Sequence, residues 1–346
     1  KENIKVELFA ASIPKARHEQ HARPVVGKQD CEVTLIIDGS HRSFTMEKDK
    51  ESVLEAGLKQ GIDIRYSCKG GVCSTCRCKV VEGKLEMDAN YALEDYQGGV
   101  PRWCNGCGDN AILAAMQRLC SEENLAPENT VFVSGIGCSS RLPHYMKTYG
   151  FHGIHGRAFP VAEGIKMARP DLNVFVNTGD GDCCSIGAAH WIHALRYNMN
   201  ITVILHDNHV YGLTKKQASP TSPRGLKSNT TPYGATLEPM NPLTVSLGVQ
   251  GASFIAQAVD WVPEVLYDIM QAAFRHRGFS FVRVIQRCPE FMPKAFDPWL
   301  HDPQRTMLLT HADGIRLSPS LSSAYRNQRE HDPIDIDRAR EIASLD

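Results

Sequence analysis

The chain has 346 residues, 42% of them hydrophobic, and a net charge of −1. This length allows two or three domains with a buried core, and the near-neutral charge gives no electrostatic reason to expect binding to nucleic acid or to an anionic membrane. No apolar run is long enough to cross a bilayer, and the stretch from Lys1 to Lys5 lacks the apolar core of a signal peptide. We therefore expect a cytoplasmic protein, whose 12 cysteines are ligands of metals or clusters more readily than disulfides.

The N-terminal part of the sequence reads as a linker-like segment, residues 1–29, followed by a small domain over residues 30–96. Short apolar runs and turn residues favour a β-grasp (α+β) fold for this domain. The predicted elements are a β-hairpin of Cys31 to Ile37 and Ser43 to Met46 around Asp38-Gly39, a helix from Ser52 to Gln60, and a strand from Lys79 to Leu85.

Three cysteines in this domain have the spacing of a plant-type iron–sulfur site. Cys68, Cys73 and Cys76 form a C-x4-C-x2-C pattern, which is typical of 2Fe–2S ferredoxins. Gly70 and Gly71 fit a loop whose backbone wraps a cluster and donates N–H groups to its sulfurs. The pattern thus predicts the ligands of a 2Fe–2S cluster.

The stretch from Glu32 to Tyr96 resembles the ferredoxin domain of the phenylacetyl-CoA epoxidase reductase subunit. That family uses a fourth thiolate near the position of Gly106, which here lies between Cys104 and Cys107, and the resemblance ends before it. Cys78 falls outside the ligand pattern. Two possibilities stay open: a 2Fe–2S cluster whose fourth ligand comes from elsewhere, or a β-grasp module without a cluster.

A strand–helix–strand unit is predicted in the second half of the chain. Val174 to Val176 and Ile201 to Leu205 are β-branched runs of the kind found in buried parallel strands, and Ser185 to Asn198 has helical spacing. Gly179-Asp180-Gly181-Asp182 follows the first strand, and Asp207-Asn208 follows the second. Both motifs therefore lie at one edge of the sheet, where open α/β sheets bind ligands.

The residue types at this edge suit a phosphorylated cofactor with a metal ion. The two glycines let the backbone approach a diphosphate, and the N-terminus of the following helix favours negative charge. Asp180, Asn208 and the backbone carbonyl of Val210 offer oxygen ligands for Mg²⁺. The alternative is that the glycine turn and the asparagine are unrelated. That alternative does not explain why each motif directly follows one of the two predicted parallel strands. The pair resembles the diphosphate and Mg²⁺ motif of thiamine-diphosphate enzymes.

A second resemblance begins near Asp95 and continues to the C-terminus. The matching motifs are Asp95 to Gly108, Ser134 to Ser140, His155 to Ala158, the G-D-G-D turn, Asp207-Asn208, Tyr211 to Lys215, Gln217 to Thr221, and Gln286 to Pro289. They resemble the β subunit of 2-oxoacid:ferredoxin oxidoreductases, especially of the 2-oxoglutarate type. The implied fold is α/β, a thiamine-diphosphate-binding domain over residues 97–289 with a mostly parallel sheet and helices on both faces. Residues 290–346 are expected to form a tail that packs on partner subunits.

Four further cysteines form a second set. Cys104 and Cys107 are a C-x2-C pair that could hold zinc or a 4Fe–4S cluster, while Cys138 and Cys288 each follow a predicted strand. The family resemblance implies that all four bind one 4Fe–4S cluster beside the thiamine, with a structural zinc site as the alternative. Four other cysteines are interpreted as small buried hydrophobic residues, namely Cys31, Cys120, Cys183 and Cys184.

The resemblance also implies residues that contact cofactor and substrate. The cofactor set is Gly137, Ser139, His155, Gly156, Gly179, Asp180, Gly181, Asp182, Asn208, Tyr211, Gly212 and Leu213. His155 and Arg157 are expected to touch the cofactor or a partner subunit. Lys215 is the candidate for binding the substrate carboxylate, and Arg141 is a candidate for contacting coenzyme A phosphates.

The implied reaction is thiamine-diphosphate-dependent oxidative decarboxylation of a 2-oxoacid, with coenzyme A as acyl acceptor, or the reverse carboxylation. Electrons leave through the 4Fe–4S cluster to ferredoxin, and activity requires an α subunit in a heterodimer or a dimer of heterodimers. One alternative is a ferredoxin-type electron-transfer module of an oxygenase reductase, in which the C-terminal half only docks. Another is a non-oxidative thiamine decarboxylase, which has no use for the four-cysteine set.

Overall fold

The computed structural model describes residues 3–8, 30–37, 39–47, 51–62, 64, 78–82, 93–312, 314–315 and 317–345. The chain divides into two units, Lys1–Tyr96 with Cys120–Leu125 and Gln97–Leu119 with Ala126–Asp346. The predicted 2Fe–2S ligands Cys68, Cys73 and Cys76 lie outside the described residues. Among the helices that are described, none has both the length and the apolar character needed to cross a membrane.

The first unit contains a four-stranded sheet. Its elements are β1 (Asn3–Leu8), β2 (Asp30–Ile37), β3 (Ser40–Glu47), α1 (Val53–Lys59) and β4 (Cys78–Glu82), and the strand order is β3-β2-β1-β4. β2 and β3 form the predicted antiparallel hairpin. α1 starts at a capping box in which Ser52 and Glu55 satisfy each other's backbone amides. The buried core includes Val33, Leu35 and Phe44.

β1 lies inside the segment that we predicted to be a linker. It pairs parallel with β2 and antiparallel with β4, so the linker prediction is wrong for Asn3–Leu8. The sequence carried a signal for this strand, because apolar Ile4, Val6 and Leu8 alternate with polar residues. The strand fills the position between β2 and β4 and supplies both with backbone hydrogen bonds.

The second unit is built on a six-stranded sheet in which every strand pair is parallel. The strands are β5 (Thr130–Ser134), β6 (Tyr149–His152), β7 (Asn173–Gly179), β8 (Ile201–Asp207), β9 (Phe254–Val259) and β10 (Phe279–Ile285), in the order β6-β5-β7-β8-β10-β9. This confirms the predicted parallel sheet. β6 lies on one side of β5, and the next strand in the chain, β7, lies on the other side. The direction in which strands are added to the sheet therefore reverses between β5 and β7. In open α/β sheets, ligands bind at such a switch point.

Helices cover both faces of this sheet. The helices packed against its strands are α3 (Ala158–Ala168), α4 (Ala188–Tyr197), α5 (Pro242–Leu247) and α6 (Pro263–Arg275). The chain also forms α2 (Asp109–Glu122), α7 (Asp297–His301), α8 (Pro319–Ala324) and α9 (Ile336–Ala343). On one face, Phe159 of α3 and Trp191 of α4 share a buried cluster with Phe281 of β10. On the other, Phe175 of β7 stacks on Phe274 of α6 with ring centroids 5.6 Å apart. Successive strand residues point to opposite faces, so the central strands β5, β7, β8 and β10 are buried on both sides, whereas the edge strand β6 is exposed.

The helix predicted over Ser185 to Asn198 differs at its start. The chain first makes a π-helical turn over Asp182–Ile186, and α4 begins after Gly187. A Cβ atom on Gly187 would lie 2.5 Å from the carbonyl oxygen of Asp182, so the tight turn needs glycine there. Such π-helical turns often occur at functional sites.

The C-terminal tail contacts its own chain. Its short strands β11 (Leu308–Thr310) and β12 (Gln328–Glu330) pair with each other in parallel. α9 lies against α5, where Asn241 Nδ2 donates to the carbonyl of Ala343 at 2.8 Å and Arg340 Nε donates to the carbonyl of Leu247 at 3.1 Å. The predicted packing of residues 290–346 on partner subunits stays a prediction.

Candidate functional site

The loops that follow β5, β7, β8 and β10 meet at the carboxyl edge of the parallel sheet. Gly179 at the end of β7 is paired with His206, and Asp207 at the end of β8 is paired with Ile285. A cavity of about 340 Å³ opens there, within the usual range for small-molecule sites. It is lined by Ile136, Gly137, Cys138, Ser139, His155, Gly179, Asp180, Gly181, Asp182, His206, Asn208, Val210, Tyr211, Gly212, Leu213, Thr214 and Gln217.

The G-D-G turn packs too closely for side chains at its two glycines. A Cβ atom on Gly179 would lie 3.2 Å from Ser139 Oγ, and one on Gly181 would lie 2.0 Å from the ring of Tyr211. The hydroxyl of Tyr211 donates to the carbonyl of Gly181 at 3.0 Å. Gly137, with a φ of 140°, adopts a conformation that favours glycine. The turn thereby presents bare backbone to the cavity, as binding of a diphosphate requires.

Asp180 is a buried carboxylate at the cavity wall. Its Oδ2 accepts hydrogen bonds from Ser219 Oγ at 2.5 Å and from Thr221 Oγ1 at 2.7 Å. Thr221 Oγ1 also lies 2.8 Å from Oδ1 of Asp207. Burial, followed by the nearby charge of Asp207, raises the pKa of Asp180 to about 7. Without a metal, the Asp180 carboxyl thus loses its proton only near neutral pH.

Asp207 keeps its charge although it is equally buried. Burial works to raise its pKa, but Arg283 and His209 outweigh this and hold the pKa below its usual range. Arg283 Nε donates to Asp207 Oδ2 at 2.8 Å. Asp207 therefore serves as the charged partner of Arg283 beneath the cavity, and it is absent from the residues that line the cavity.

Asn208 and Val210 lie beside Asp180 in the wall of the cavity. The amide oxygen of Asn208 accepts from the backbone N–H of Val210 at 3.1 Å, and its Nδ2 donates to Gln286 Oε1 at 3.0 Å. These bonds fix which way the amide points. A carboxylate, an amide oxygen and a backbone carbonyl are the hard oxygen donors that Mg²⁺ prefers, so the donor set fits the predicted metal.

Asp182 ties three loops together rather than offering a free carboxylate. Its Oδ1 accepts from the backbone N–H groups of Ile136 at 3.0 Å and Gly156 at 2.7 Å, and lies 2.6 Å from His155 Nδ1. His155 lines the cavity, whereas Gly156 and Arg157 do not. Arg157 instead makes a long bond, 3.4 Å, to the carbonyl of Ile186. Of the predicted His155-Gly156-Arg157 set, the structure brings only the histidine to the cavity.

Lys215 is exposed and has a left-handed backbone conformation, with a φ of 67°. It does not line the 340 Å³ cavity, although its neighbours Leu213 and Thr214 do. Leu213 also borders a second, more open cavity of about 690 Å³. The structure thus places the predicted substrate lysine at the rim of the site, and its role stays a prediction.

The second cavity has a cationic lining that the sequence analysis recognised only in part. Arg141, the candidate for contacting coenzyme A phosphates, lies there with Arg102, His144 and His152, and its role stays a prediction. His144 Nε2 is 2.8 Å from His152 Nδ1. Burial, His144 and Arg141 lower the pKa of His152, so this imidazole is mostly neutral at pH 7. The two arginines are then the fixed positive charges of the cavity.

The second cysteine set gathers beside the first cavity. Cys138 lines that cavity. A Cβ atom on Gly212 would lie 3.5 Å from Cys138 Sγ and 4.0 Å from Cys288 Sγ. The thiols of Cys104 and Cys288 add to the burial that raises the pKa of Cys138 to about 12. Burial raises the pKa of Cys107 with Cys288 adding to it, and burial raises the pKa of Cys288 with Cys104 adding to it, so the thiols of Cys104, Cys107 and Cys138 each lie within electrostatic reach of Cys288.

Backbone and side-chain bonds hold these cysteine segments together. The N–H of Gly108 donates to the carbonyl of Arg287 at 3.0 Å, and Trp103 Nε1 donates to the carbonyl of Cys138 at 2.7 Å. Across the described ranges, no three His, Cys, Asp or Glu side chains converge as ligands of one metal ion do. The 4Fe–4S cluster and the zinc alternative at these four cysteines both stay predictions.

Several site residues escaped the sequence analysis. Gln286 links the two groups of ligands, since its Oε1 accepts from Asn208 and its Nε2 lies 3.3 Å from Cys107 Sγ. Asp109 and His206 form a buried pair at 2.7 Å. Only the position of Gln286 two residues before Cys288 hinted at such a role. Histidine within a strand, like His206, reads as a structural residue.

Comparisons with known proteins agree with this geometry. Residues 135–284 match the family described as the thiamine pyrophosphate enzyme, C-terminal TPP binding domain. Residues 35–107 match the 2Fe-2S iron-sulfur cluster binding domain. The second match extends beyond Tyr96 and includes Cys104 and Cys107. It supports a ferredoxin-type module, while the specific likeness to the epoxidase reductase stays a prediction.

Relatives and a solved structure identify the family. The 2-oxoglutarate oxidoreductase subunit KorB of Mycobacterium tuberculosis is 50% identical over 57% of this chain and 52% of its own length. The 2-oxoacid:ferredoxin oxidoreductase 1 subunit beta of Aeropyrum pernix is 47% identical over 54% of this chain and 58% of its own. A structure of 2-oxoglutarate:ferredoxin oxidoreductase from Magnetococcus marinus with 2-oxoglutarate, coenzyme A and succinyl-CoA bound is 37% identical, with a TM-score of 0.65, over 75% of this chain and 82% of that one.

The chain belongs to the family of 2-oxoacid:ferredoxin oxidoreductase β subunits. This confirms the predicted family and its α/β thiamine-binding fold. The chain spans between half and three-fifths of the length of the first two relatives, so the activity of a whole family enzyme is a proposal for this chain.

Proposed function

We propose that the chain is the thiamine-diphosphate-binding subunit of a 2-oxoacid:ferredoxin oxidoreductase that acts on 2-oxoglutarate. The observation that carries this proposal is that one cavity at the carboxyl edge of the sheet joins the G-D-G turn, Asn208 and Cys138. A cofactor site and a cluster site thereby share a wall. That arrangement suits a reaction in which electrons leave the cofactor one at a time.

The metal and cofactor ligands follow from the cavity wall. Asp180, Asn208 and the carbonyl of Val210 would hold Mg²⁺, and the backbone of Gly179 and Gly181 would cradle the diphosphate. When bound, thiamine diphosphate supplies the carbanion that adds to the 2-oxo carbon and the electron sink for loss of CO2. Contacts from the other loops are assigned to the remaining cavity-lining members of the predicted set, Gly137, Ser139, His155, Tyr211, Gly212 and Leu213.

Substrate and coenzyme A are both anionic, and the larger cavity offers cations for them. Arg141 and Arg102 line it, and Leu213 borders both cavities. Guanidinium groups bind carboxylates and phosphates through paired N–H donors. We assign recognition of anionic groups chiefly to Arg141. Lys215 and Arg157 stay candidates for contacts with the substrate or with another subunit.

Electrons would leave through a 4Fe–4S cluster on Cys104, Cys107, Cys138 and Cys288. The thiol of Cys138 lies at the cofactor cavity, which gives a short path from the cofactor to the cluster. Two single-electron transfers to ferredoxin would complete the oxidation, and coenzyme A would take the acyl group. The same residues serve the reverse carboxylation.

An α subunit is proposed as partner, because subunit names of the relatives imply a complex. We propose that it supplies the acid that activates the thiamine ring, in a heterodimer or a dimer of heterodimers. The chain by itself would bind the cofactor but not turn over.

The decisive experiment co-purifies the chain with its α subunit without oxygen and follows reduction of methyl viologen. Reduction is expected only when 2-oxoglutarate and coenzyme A are both present, and CO2 and succinyl-CoA should form in equal amounts. The Asp180→Asn variant should abolish reduction, while Asp171→Asn, at an exposed ion pair with Arg169, should leave it unchanged.

Two results would overturn the proposal. CO2 release without viologen reduction would indicate a non-oxidative decarboxylase. A chain that carries reducible iron but binds no Mg²⁺–thiamine diphosphate would support the electron-transfer module, which the match over residues 35–107 makes the second candidate.

A further inference from the structure

A buried carboxylate lies beside one of the four thiols. Asp109, the first residue of α2, is fully buried, and the Cys107 thiol donates to its Oδ2 at 3.5 Å. The other oxygen, Oδ1, lies 2.7 Å from Nδ1 of His206, whose side chain is only 1% exposed. Asp109 thus connects a cluster cysteine to a histidine that lines the cofactor cavity.

The surroundings hold the Asp109 side chain in a fixed position. A buried carboxylate is costly unless hydrogen bonds and partial positive charges compensate it. Here the N-terminus of α2 supplies partial positive charge, and the His206 ring supplies a hydrogen bond. Asn177 Nδ2 lies 3.1 Å from His206 Nε2 and holds the imidazole from its other side. The carboxylate is therefore anchored independently of Cys107.

Two neighbours of the Cys107 sulfur have opposite character. Asp109 brings negative charge, whereas Gln286 Nε2 points a donor at the same sulfur from 3.3 Å. The potential of an iron–sulfur cluster depends on local charge and on hydrogen bonds to its sulfurs. Reduction adds one electron to the cluster and no proton, so a nearby carboxylate opposes it and a donor favours it.

We propose that Asp109 lowers the reduction potential of the 4Fe–4S cluster and so keeps its electrons strongly reducing. This inference rests on the proposed function, because the cluster belongs to it. In this role Asp109 is a tuning residue held in place by His206. Its effect favours onward transfer to a low-potential acceptor such as ferredoxin. Gln286 acts in the opposite sense at the same sulfur.

The test is an EPR-monitored redox titration of the holo chain with its α subunit, using dithionite as reductant. Asp109→Asn removes the charge and places an amide donor near the sulfur, so the midpoint potential of the 4Fe–4S signal should rise. Asp109→Glu restores the charge and should bring the potential back toward the wild-type value. Asp171→Asn removes a charge at the exposed surface and should leave the potential unchanged.

Each remaining outcome counts against the proposal. An unchanged potential in Asp109→Asn, with the cluster intact, would overturn it and leave the proposed function standing. Loss of the cluster in both Asp109 variants would show a structural role only. A wild-type chain without a 4Fe–4S signal would overturn the inference and the proposed function together.

Discussion

Thr221 lies between two buried carboxyl groups, those of Asp180 and Asp207, and this position bears on which of them holds a proton. Its single hydroxyl hydrogen cannot serve Asp180 and Asp207 at the same time, although Oγ1 lies 2.7 Å from one and 2.8 Å from the other. Arg283 keeps Asp207 charged. The proton that relieves the repulsion between the two carboxyl groups therefore belongs on Asp180. A metal ion would replace that proton.

Binding of Mg²⁺–thiamine diphosphate should therefore depend on pH. The metal needs the ionised Asp180, whose pKa in the metal-free protein is raised to about 7. Above pH 7 the affinity should be nearly constant, and below it the affinity should fall about tenfold per pH unit because a proton must first leave. Calorimetry between pH 6 and pH 8 would measure this slope.

The Asp180→Asn variant is the control for that titration. It has no proton to release, so any residual binding of the cofactor should lose its pH dependence over this range. A wild-type affinity that stays flat from pH 6 to pH 8 would contradict the assignment of Asp180 as a ligand.

At the scale of elements, the site depends on loops from four strands that approach more closely than side chains permit. Gly181 and Gly212 show this most clearly, because each lacks the Cβ atom that would enter the space beside Tyr211 or beside the two sulfurs of Cys138 and Cys288. At Gly212 a methyl group would make ordinary contacts with those sulfurs when no cluster is bound. The same methyl group would compete with iron for that space.

Gly212→Ala should therefore fold but bind the cluster poorly. We expect thermal stability close to wild type and a clear loss of iron, measured by iron and sulfide analysis after anaerobic purification. Gly164→Ala in α3 is the matched control, since a Cβ atom there meets nothing within 4 Å. That control should keep its iron and gain about 0.5–1 kcal/mol of stability. A Gly212→Ala chain with full iron content would place the cluster elsewhere.

At the scale of the whole molecule, the chain combines two units, each with its own sheet. The match to the 2Fe-2S family extends over residues 35–107 and so includes Cys104 and Cys107, which we assign to the 4Fe–4S cluster. One cysteine cannot serve both clusters at once. The number of irons in the holo chain decides how the two assignments divide these ligands.

We expect about four irons per chain and a single 4Fe–4S signal, with the N-terminal unit free of a cluster. Iron analysis and EPR of the reduced holo chain would measure this. About six irons with an added 2Fe–2S signal would instead indicate a built-in electron acceptor with another fourth ligand. Zinc in place of iron would contradict the redox function altogether.

The sequence by itself determined the family, the parallel strands β5, β7, β8 and β10, and the residue types of the cofactor motif. These are local or ordered patterns: β-branched runs of strand length, glycines around an aspartate, and motifs in a fixed order. The alternation in Asn3–Leu8 was equally local, and we missed it because a short strand without neighbouring turn signals resembles a linker. Period and spacing suffice for such features because they depend on the backbone and on near neighbours.

Only the tertiary structure decided which side chains meet. Asp109 and His206 are 97 residues apart, and Gln286 and Cys107 are 179 apart, so no spacing rule joins them. The structure also turned Asp182 into a tie between loops and left Arg157 and Lys215 outside the cofactor cavity. Contacts of this kind depend on how distant strands align in one sheet and on the burial that results, because burial and charged neighbours set how each group ionises.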